Sequence, residues 1–271
     1  MKRWLVWLAC CGGAAAQPLL PATPLEPAYH ALLGGDRADA WRQLAKLWHS
    51  LSSATQRRAW ADLQDSLLAA QCGRDMPQTP PQWLSELELE LRQRDIPLSR
   101  VYQAELRGIS PRRDLSVSLR LPDGRDLLLN AAAAYGAGNV FRVESKEAGA
   151  AFPLGVYWLT VRSGGEQWRQ ALPLPATAAL DWLRREGGGL ALRPPPRGRA
   201  CPAPWLEQRL LRRPAFDAVW SSRGEAARLQ PWPARLRDSG LWASVSLTQA
   251  SFRGAVSVQR VQRVAGPFER F

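Results

Sequence analysis

Hydrophobic and polar positions change their period along this chain, from helical spacing to strict alternation. Leu25, Ala28, Tyr29 and Leu32 fall at i, i+3, i+4 and i+7, one apolar stripe of a helix. Thr23-Pro24-Leu25-Glu26 supplies a cap, a proline at the first helical position and a glutamate three residues on. Gly34-Gly35 ends that helix, and Asp36 can cap a second, with Trp41, Leu44, Leu47 and Trp48 on one side. Ser53-Ala54-Thr55-Gln56 reads as a capping box opening a third helix, with Trp60, Leu63 and Leu67 inward. Short loops between amphipathic helices predict antiparallel neighbours, a helical unit over residues 17–75.

Pro77, Pro80 and Pro81 interrupt the helical pattern, and period two follows. In Glu86-Leu87-Glu88-Leu89-Glu90-Leu91 the leucines point one way and the glutamates the other. Leu115, Val117, Leu119 and Leu121 alternate too, and Pro122-Asp123-Gly124-Arg125 is a turn into Asp126–Asn130. Further strands are expected near 100–107, 140–144, 155–162 and 166–172, with Ser163-Gly164-Gly165 as a hairpin turn. Several short strands with regular turns predict an antiparallel β-sandwich over residues 82–183.

Residues 184–237 read as a basic linker. Arg193-Pro194-Pro195-Pro196-Arg197-Gly198-Arg199 favours an extended segment, and Trp205–Arg213 is expected to be a short helix. Leu241–Gln249 and Ala255–Val264 alternate again around Arg253-Gly254 and predict a hairpin over 238–271. A lone hairpin is marginal in water, so it should pack on the sandwich or join one of its sheets. The fold class expected is α+β: a three-helix unit, an immunoglobulin-like antiparallel sandwich and a C-terminal hairpin.

The N-terminus changes the setting. Met1-Lys2-Arg3, an apolar run from Trp4 to Cys11, and Ala14-Ala15-Ala16 form the sequence of a cleavable export signal, so residues 1–16 are read as a signal peptide. The residues before Cys10 and Cys11 do not suit a lipid-attachment signal. The mature chain is therefore placed in the periplasm, and beyond residue 17 no apolar stretch is long enough for a membrane-spanning helix. Two cysteines remain, Cys72 and Cys201, and an exported setting predicts that they pair as a structural disulfide.

Charge is unevenly placed. Residues 17–183 hold 18 basic and 18 acidic side chains, whereas 184–237 hold 12 arginines against four acids. That local excess suggests an anionic partner, such as an envelope glycan or lipopolysaccharide. The candidate contacts are Arg193, Arg197, Arg199, Arg212, Arg213, Trp205 and Trp232, because aromatics among arginines suit sugar-phosphate ligands. Export argues against nucleic acid. Trp41, Trp48, Trp60 and Trp158 fall on core faces, where burial is expected.

Two resemblances follow from these residues. Phe152-Pro153-Leu154-Gly155-Val156-Tyr157-Trp158-Leu159-Thr160-Val161 resembles a strand of bacterial immunoglobulin-like and fibronectin-like modules, which implies a fold and no activity. Cys72-Gly73-Arg74, Trp83-Leu84, Gly155–Val161, Cys201 with Trp205-Leu206-Glu207, and Gly254–Arg263 resemble an uncharacterised family of exported proteobacterial proteins, a domain of unknown function. That resemblance implies secretion and brings no catalytic residues.

The chemistry that would mark an enzyme is missing from the pattern. His30 and His49 stand apart from any zinc spacing, and no nucleophile elbow occurs. Glu86, Glu88 and Glu90 share one strand face, which reads as solvated, not as the opposed carboxylates of a glycosidase. No catalytic, cofactor or metal residues are expected. The reading is a non-enzymatic periplasmic interaction module, accessory to envelope assembly or sensing, with an envelope protein as partner; the alternative is an anionic-glycan or lipopolysaccharide binder using 184–237.

Overall fold

The computed structural model describes residues 23–177, 180–186, 189–196, 198–236 and 240–268. The signal peptide expected at 1–16 and the candidate contact Arg197 lie outside the described residues. The chain is a mixed α and β protein with three α-helices, α1 (Glu26–Leu33), α2 (Arg37–Leu47) and α3 (Ala54–Gln71), followed by β-structure.

The caps of α2 and α3 follow the expected chemistry. The Asp36 carboxylate accepts the Asp39 N–H at 2.8 Å, and Ser53 with Gln56 forms a reciprocal capping box. The start of α1 differs. Thr23 to Leu25 make a turn, the Leu25 side chain is buried, and the helix begins at Glu26 without a side-chain cap.

The strands are β1 (Ser85–Ile96), β2 (Ser99–Ile109), β3 (Ser116–Arg120), β4 (Ala134–Tyr135), β5 (Val140–Glu144), β6 (Gly155–Ser163) and β7 (Glu166–Leu174). They continue with β8 (Leu183–Glu186), β9 (Gly189–Leu192), β10 (Trp205–Arg212), β11 (Asp217–Glu225), β12 (Leu241–Arg253) and β13 (Val256–Pro267). An eight-stranded sheet runs β11-β10-β12-β13-β1-β2-β5-β4, a three-stranded sheet runs β3-β6-β7, and β8-β9 is a separate hairpin.

Three expectations are corrected. Trp205–Arg213 is not a helix: β10 pairs antiparallel with both β11 and β12, burying Leu206, Gln208 and Leu210 on one face. Its helix-forming residues are overridden by neighbours that complete its backbone hydrogen bonds. Asp126–Asn130 is not a strand beyond a bridge at Asp126, because the Asp126 carboxylate accepts from Leu119 and Leu128 and turns the chain. The sheets are also not wholly antiparallel. The β12–β13 hairpin enters the large sheet through a parallel pairing of β13 with β1, Leu89 opposite Val258.

Two cores result around the small sheet. Leu87, Leu89, Leu91 and Leu106 of the large sheet share a buried cluster with Leu119, Tyr157, Leu159 and Leu172. On the other face of the three-stranded sheet the helices bury Trp41, Leu44, Trp60 and Leu67 against Val156 and Ala171. Gly155 permits that contact, since a Cβ there would lie 2.5 Å from the Trp48 ring. A third cluster of Leu183, Leu206, Val245, Leu247 and Val264 lies between the β8–β9 hairpin and the C-terminal strands.

Cys72 and Cys201 are joined by a disulfide, with sulfurs 1.96 Å apart and a sequence separation of 129. It ties the end of α3 to the segment entering β10.

Candidate functional site

Alternation places one set of side chains from β1, β2, β5, β10, β11, β12 and β13 on the face of the large sheet opposite its core. Register aligns Glu88, Glu90 and Arg92 of β1 with Arg107, Glu105 and Gln103 of β2 and with Ser257, Gln259 and Val261 of β13. Arg263 of β13 stands opposite Ser246 of β12, which stands opposite Glu207 of β10, which stands opposite Arg223 of β11. This face holds a trough of about 440 Å³ lined by Glu88, Arg107, Trp205, Arg209, Arg223 and Arg263 among others.

Glu90, Arg92, Glu105, Ser246 and Thr248 are buried although they stand on the face away from the core. The Arg223 guanidinium on β11 acts on the Glu88 carboxyl on β1, four strands along the sheet order. Glu90 therefore departs from the solvated face expected of its strand, because Arg92 on its own strand and Arg107 on the next cover it, and one strand's alternation does not show such neighbours.

One end of the trough is an ion-pair network. Arg92 reaches Glu90 at 2.5 Å, Glu105 at 3.3 Å and Glu144 at 3.5 Å. Arg142 reaches Glu105 at 2.7 Å, and Arg107 also donates to Glu105. Burial alone would push the Glu105 carboxyl up, but Arg107, Arg142 and Arg92 outweigh it and hold it below the ordinary range. Glu88 goes the other way: burial raises it, with Glu90 and Glu105 adding repulsion that Arg107 and Arg223 offset in part.

The other end has spare positive charge. The Arg263 Nε donates to the Ser246 hydroxyl at 2.9 Å, and Arg263 makes no ion pair with a described residue. Burial, with repulsion from Arg92 and Arg209 and a partial offset from Glu90 and Glu207, lowers its pKa to about 10. Arg223 stacks on the Trp205 ring, 4.6 Å from its centroid, and makes no direct ion pair with a described residue, although its charge reaches Glu88. Arg209 is held by Glu207 at 2.6 Å.

The residues singled out in the sequence do not gather in one patch. Trp205 lines the trough. Trp232 packs against Trp220 and Phe268. Arg193 reaches Asp181 at 3.8 Å and Glu186 at 3.6 Å. Arg212 and Arg199 are exposed, and Arg213 lies over Trp242 at 5.9 Å. Sequence reasoning missed Glu88, Arg92, Arg107, Arg142, Arg209, Arg223 and Arg263 as neighbours. The signal for them was the charged half of each alternating strand, spread over 175 residues of chain. Among the described residues no group of three His, Cys, Asp or Glu could hold a metal. No described helix is long and apolar enough to cross a membrane.

A mixed, mostly β protein with an uncovered polar trough is the class this geometry defines. The chain belongs to the family described as protein of unknown function (DUF2861), which matches residues 20–269. A comparison with curated proteins finds no match. Among solved structures the chain is similar to an anomalous substructure of titin, with 12% identity over 68% of this chain and 100% of that one and a TM-score of 0.21. It is also similar to a three-Ig structure of titin domains, with 10% identity over 68% of this chain and 66% of that one and a TM-score of 0.19. Likeness at those scores carries no argument.

Proposed function

We propose that this chain is a non-enzymatic, exported binding module whose trough takes an anionic glycan of the cell envelope. The observation that carries the reading is the pair Arg263 and Arg223, two guanidinium groups that make no direct ion pair with a described residue, beside the Trp205 ring. A carboxylate or phosphate on the ligand would satisfy the guanidinium groups with charge-assisted hydrogen bonds. Trp205 offers an apolar plane for a sugar ring, and Ser246, Thr248 and Gln259 offer hydroxyl and amide partners along the floor.

Binding is favoured over hydrolysis by the state of the carboxylates. Glu90 is committed to Arg92 and Arg107, and Glu207 to Arg209, which leaves Glu88 without a second free carboxylate among the lining residues. The export signal read at residues 1–16 supports a periplasmic setting. The trough also moves the anionic-glycan site away from the 184–237 segment alone, to a surface that β10 and β11 share with β1, β2, β12 and β13.

The test is calorimetric titration of the mature chain with deacylated lipopolysaccharide core oligosaccharide and with neutral maltotetraose. The charged glycan should bind and weaken with salt, and the neutral one should not. Arg263→Gln should cost about tenfold in affinity, the value of one hydrogen bond to a charged group. Trp205→Ala should weaken binding too, while Arg193→Ser should leave it unchanged. Equal binding of both sugars, or an unchanged affinity in Arg263→Gln, would falsify the reading.

A further inference from the structure

On the opposite side of the molecule, the helices cover only part of the three-stranded sheet's outer face. Val156 and Ala171 are buried under them, while Ser118, Arg120, Trp158, Thr160, Arg162, Gln167 and Arg169 line a shallow open hollow beyond. Beside it, α2 and the sheet enclose a groove of about 590 Å³ floored by Trp41, Ala45, Met76, Pro77, Trp158 and Ala171. Trp158 lines both, so groove and hollow adjoin at its ring.

The charge lining this surface is basic, with Asp39 and Asp75 beside it engaged by Arg42 and by the Trp41 ring N–H. Arg42, Lys46 and His49 stand at i, i+4 and i+7 along one wall of the groove, a row about 10 Å long. Arg169 lies over the Trp158 ring at 3.9 Å, and Arg120 and Arg162 stand beyond it, all three exposed. Arg42 is paired with Asp39 at 3.2 Å. Lys46, Arg120, Arg162 and Arg169 make no ion pair with a described residue, and no carboxylate lines either hollow.

We infer that this surface docks an acidic segment of a protein partner that places one large apolar side chain in the groove. The groove's apolar atoms are recessed, with Trp41 and Met76 buried and Trp158 half-buried. A recess accepts a protruding side chain, whereas a membrane surface is bound by side chains that protrude. Cations on two sides of an apolar slot match a chain with carboxylates on both flanks of its apolar residue, better than an amphiphile with one charged head. The chain's own first 22 residues are a poor match, since they contain Lys2 and Arg3 and no carboxylate. This surface is separate from the trough, and neither proposal depends on the other.

The experiment is selection of a displayed library of random twelve-residue peptides on the mature chain, followed by titration of the selected peptides. The expected result is enrichment of Asp and Glu around a Phe, Trp or Leu, with binding that falls as salt rises. Lys46→Glu combined with Arg169→Glu should cut affinity at least tenfold, and so should replacing the peptide's apolar residue by Ser. Arg263→Gln, in the trough, should leave it unchanged. Ala45→Leu, which fills the groove without touching charge, should weaken the apolar contribution alone. Selection of peptides without acidic residues, affinity unmoved by the charge reversal, or co-sedimentation with phosphatidylglycerol vesicles in place of peptide binding would each overturn the inference.

Discussion

The Cys72 carbonyl accepts the Phe252 N–H at 2.8 Å, which seats the tip of the β12–β13 hairpin on the end of α3. The next pair repeats it, with the Gly254 N–H donating to the Gly73 carbonyl at 2.9 Å. Cys72 is left-handed at φ 56 and ends the helix, so the chain turns along the hairpin tip instead of leaving into solvent. The helical unit and the strand that carries Arg263 are thus joined by backbone, and the disulfide lies at the same junction.

Gly73 is the tightest point of this contact. Its φ is +80, and a Cβ would lie 2.0 Å from the Phe252 carbonyl oxygen. Gly73→Ala should therefore destabilise the protein by at least about 2 kcal/mol, since left-handed strain and a backbone clash add. Gly124→Ala is the control. It has φ +89 and nothing within 4 Å, so it should cost only about 1 kcal/mol of strain. Urea unfolding of both variants measures the difference, and equal costs would mean the hairpin tip yields freely.

The disulfide acts on the same junction through the unfolded state. A bridge across 129 residues restricts the unfolded chain strongly, so Cys72→Ser with Cys201→Ser should lose about 4–5 kcal/mol in the chain-entropy account. Native-state hydrogen exchange should then quicken first at the Phe252 and Gly254 amides. Unchanged exchange there, with stability lost uniformly, would place the effect elsewhere than the junction.

Arg253 is buried at the hairpin tip, donating to the Pro173 and Phe252 carbonyls and lying 5.6 Å from the centre of the Trp41 ring. Burial, with repulsion from Arg260, lowers its pKa to about 9, against a partial offset from Asp65. Arg253→Ala should cost about 3 kcal/mol, because it leaves a void and two carbonyls without their donor. Arg253→Met should cost less, since it refills volume and removes a buried charge. The folded pKa lies below the unfolded one, so the penalty of burying the cation operates below about pH 9 and is relieved as pH rises above it. Wild type should accordingly gain stability relative to Arg253→Met in mild alkali, as guanidinium unfolding at two pH values would read. A constant difference would mean that Arg253 stays charged at both pH values and would count against a pKa lowered by burial.

Much of this was legible locally. The Ser53–Gln56 box, the Leu87–Leu91 alternation and the glycine turn at 163–165 each depend on neighbours in sequence. β10 was not, because Leu206, Gln208 and Leu210 alternate inward within a run of strong helix formers, and only β11 and β12 decide between the two. The trough is a step further removed. The β1–β13 pairing that brings Glu88 within reach of Arg263's strand spans most of the chain, and the arginines that cover Glu90 come from two strands. The disulfide was readable from composition and setting and the β12–β13 hairpin from its alternation, but the docking of the hairpin tip on Cys72 and Gly73 was not.

Glu105 gives the trough a pH dependence with a definite sign. Its folded pKa is held below the ordinary 4.5 by Arg107, Arg142 and Arg92. Its stabilising contribution is therefore complete above that ordinary value and is lost as pH falls through the lower folded one. Glu88, raised by burial, works against it, since its ionisation costs stability above its own folded pKa. Glu105→Gln should lose about 3 kcal/mol at neutral pH, because Arg92 and Arg142 keep their charge without their buried partner. It should also unfold with a flatter acid limb than wild type. Glu88→Gln should be neutral or stabilising near pH 7, and its acid limb should steepen relative to wild type. Urea midpoints across the acid range for the three proteins test this directly, and parallel curves for wild type and Glu105→Gln would remove Glu105 as the group that the arginines hold ionised.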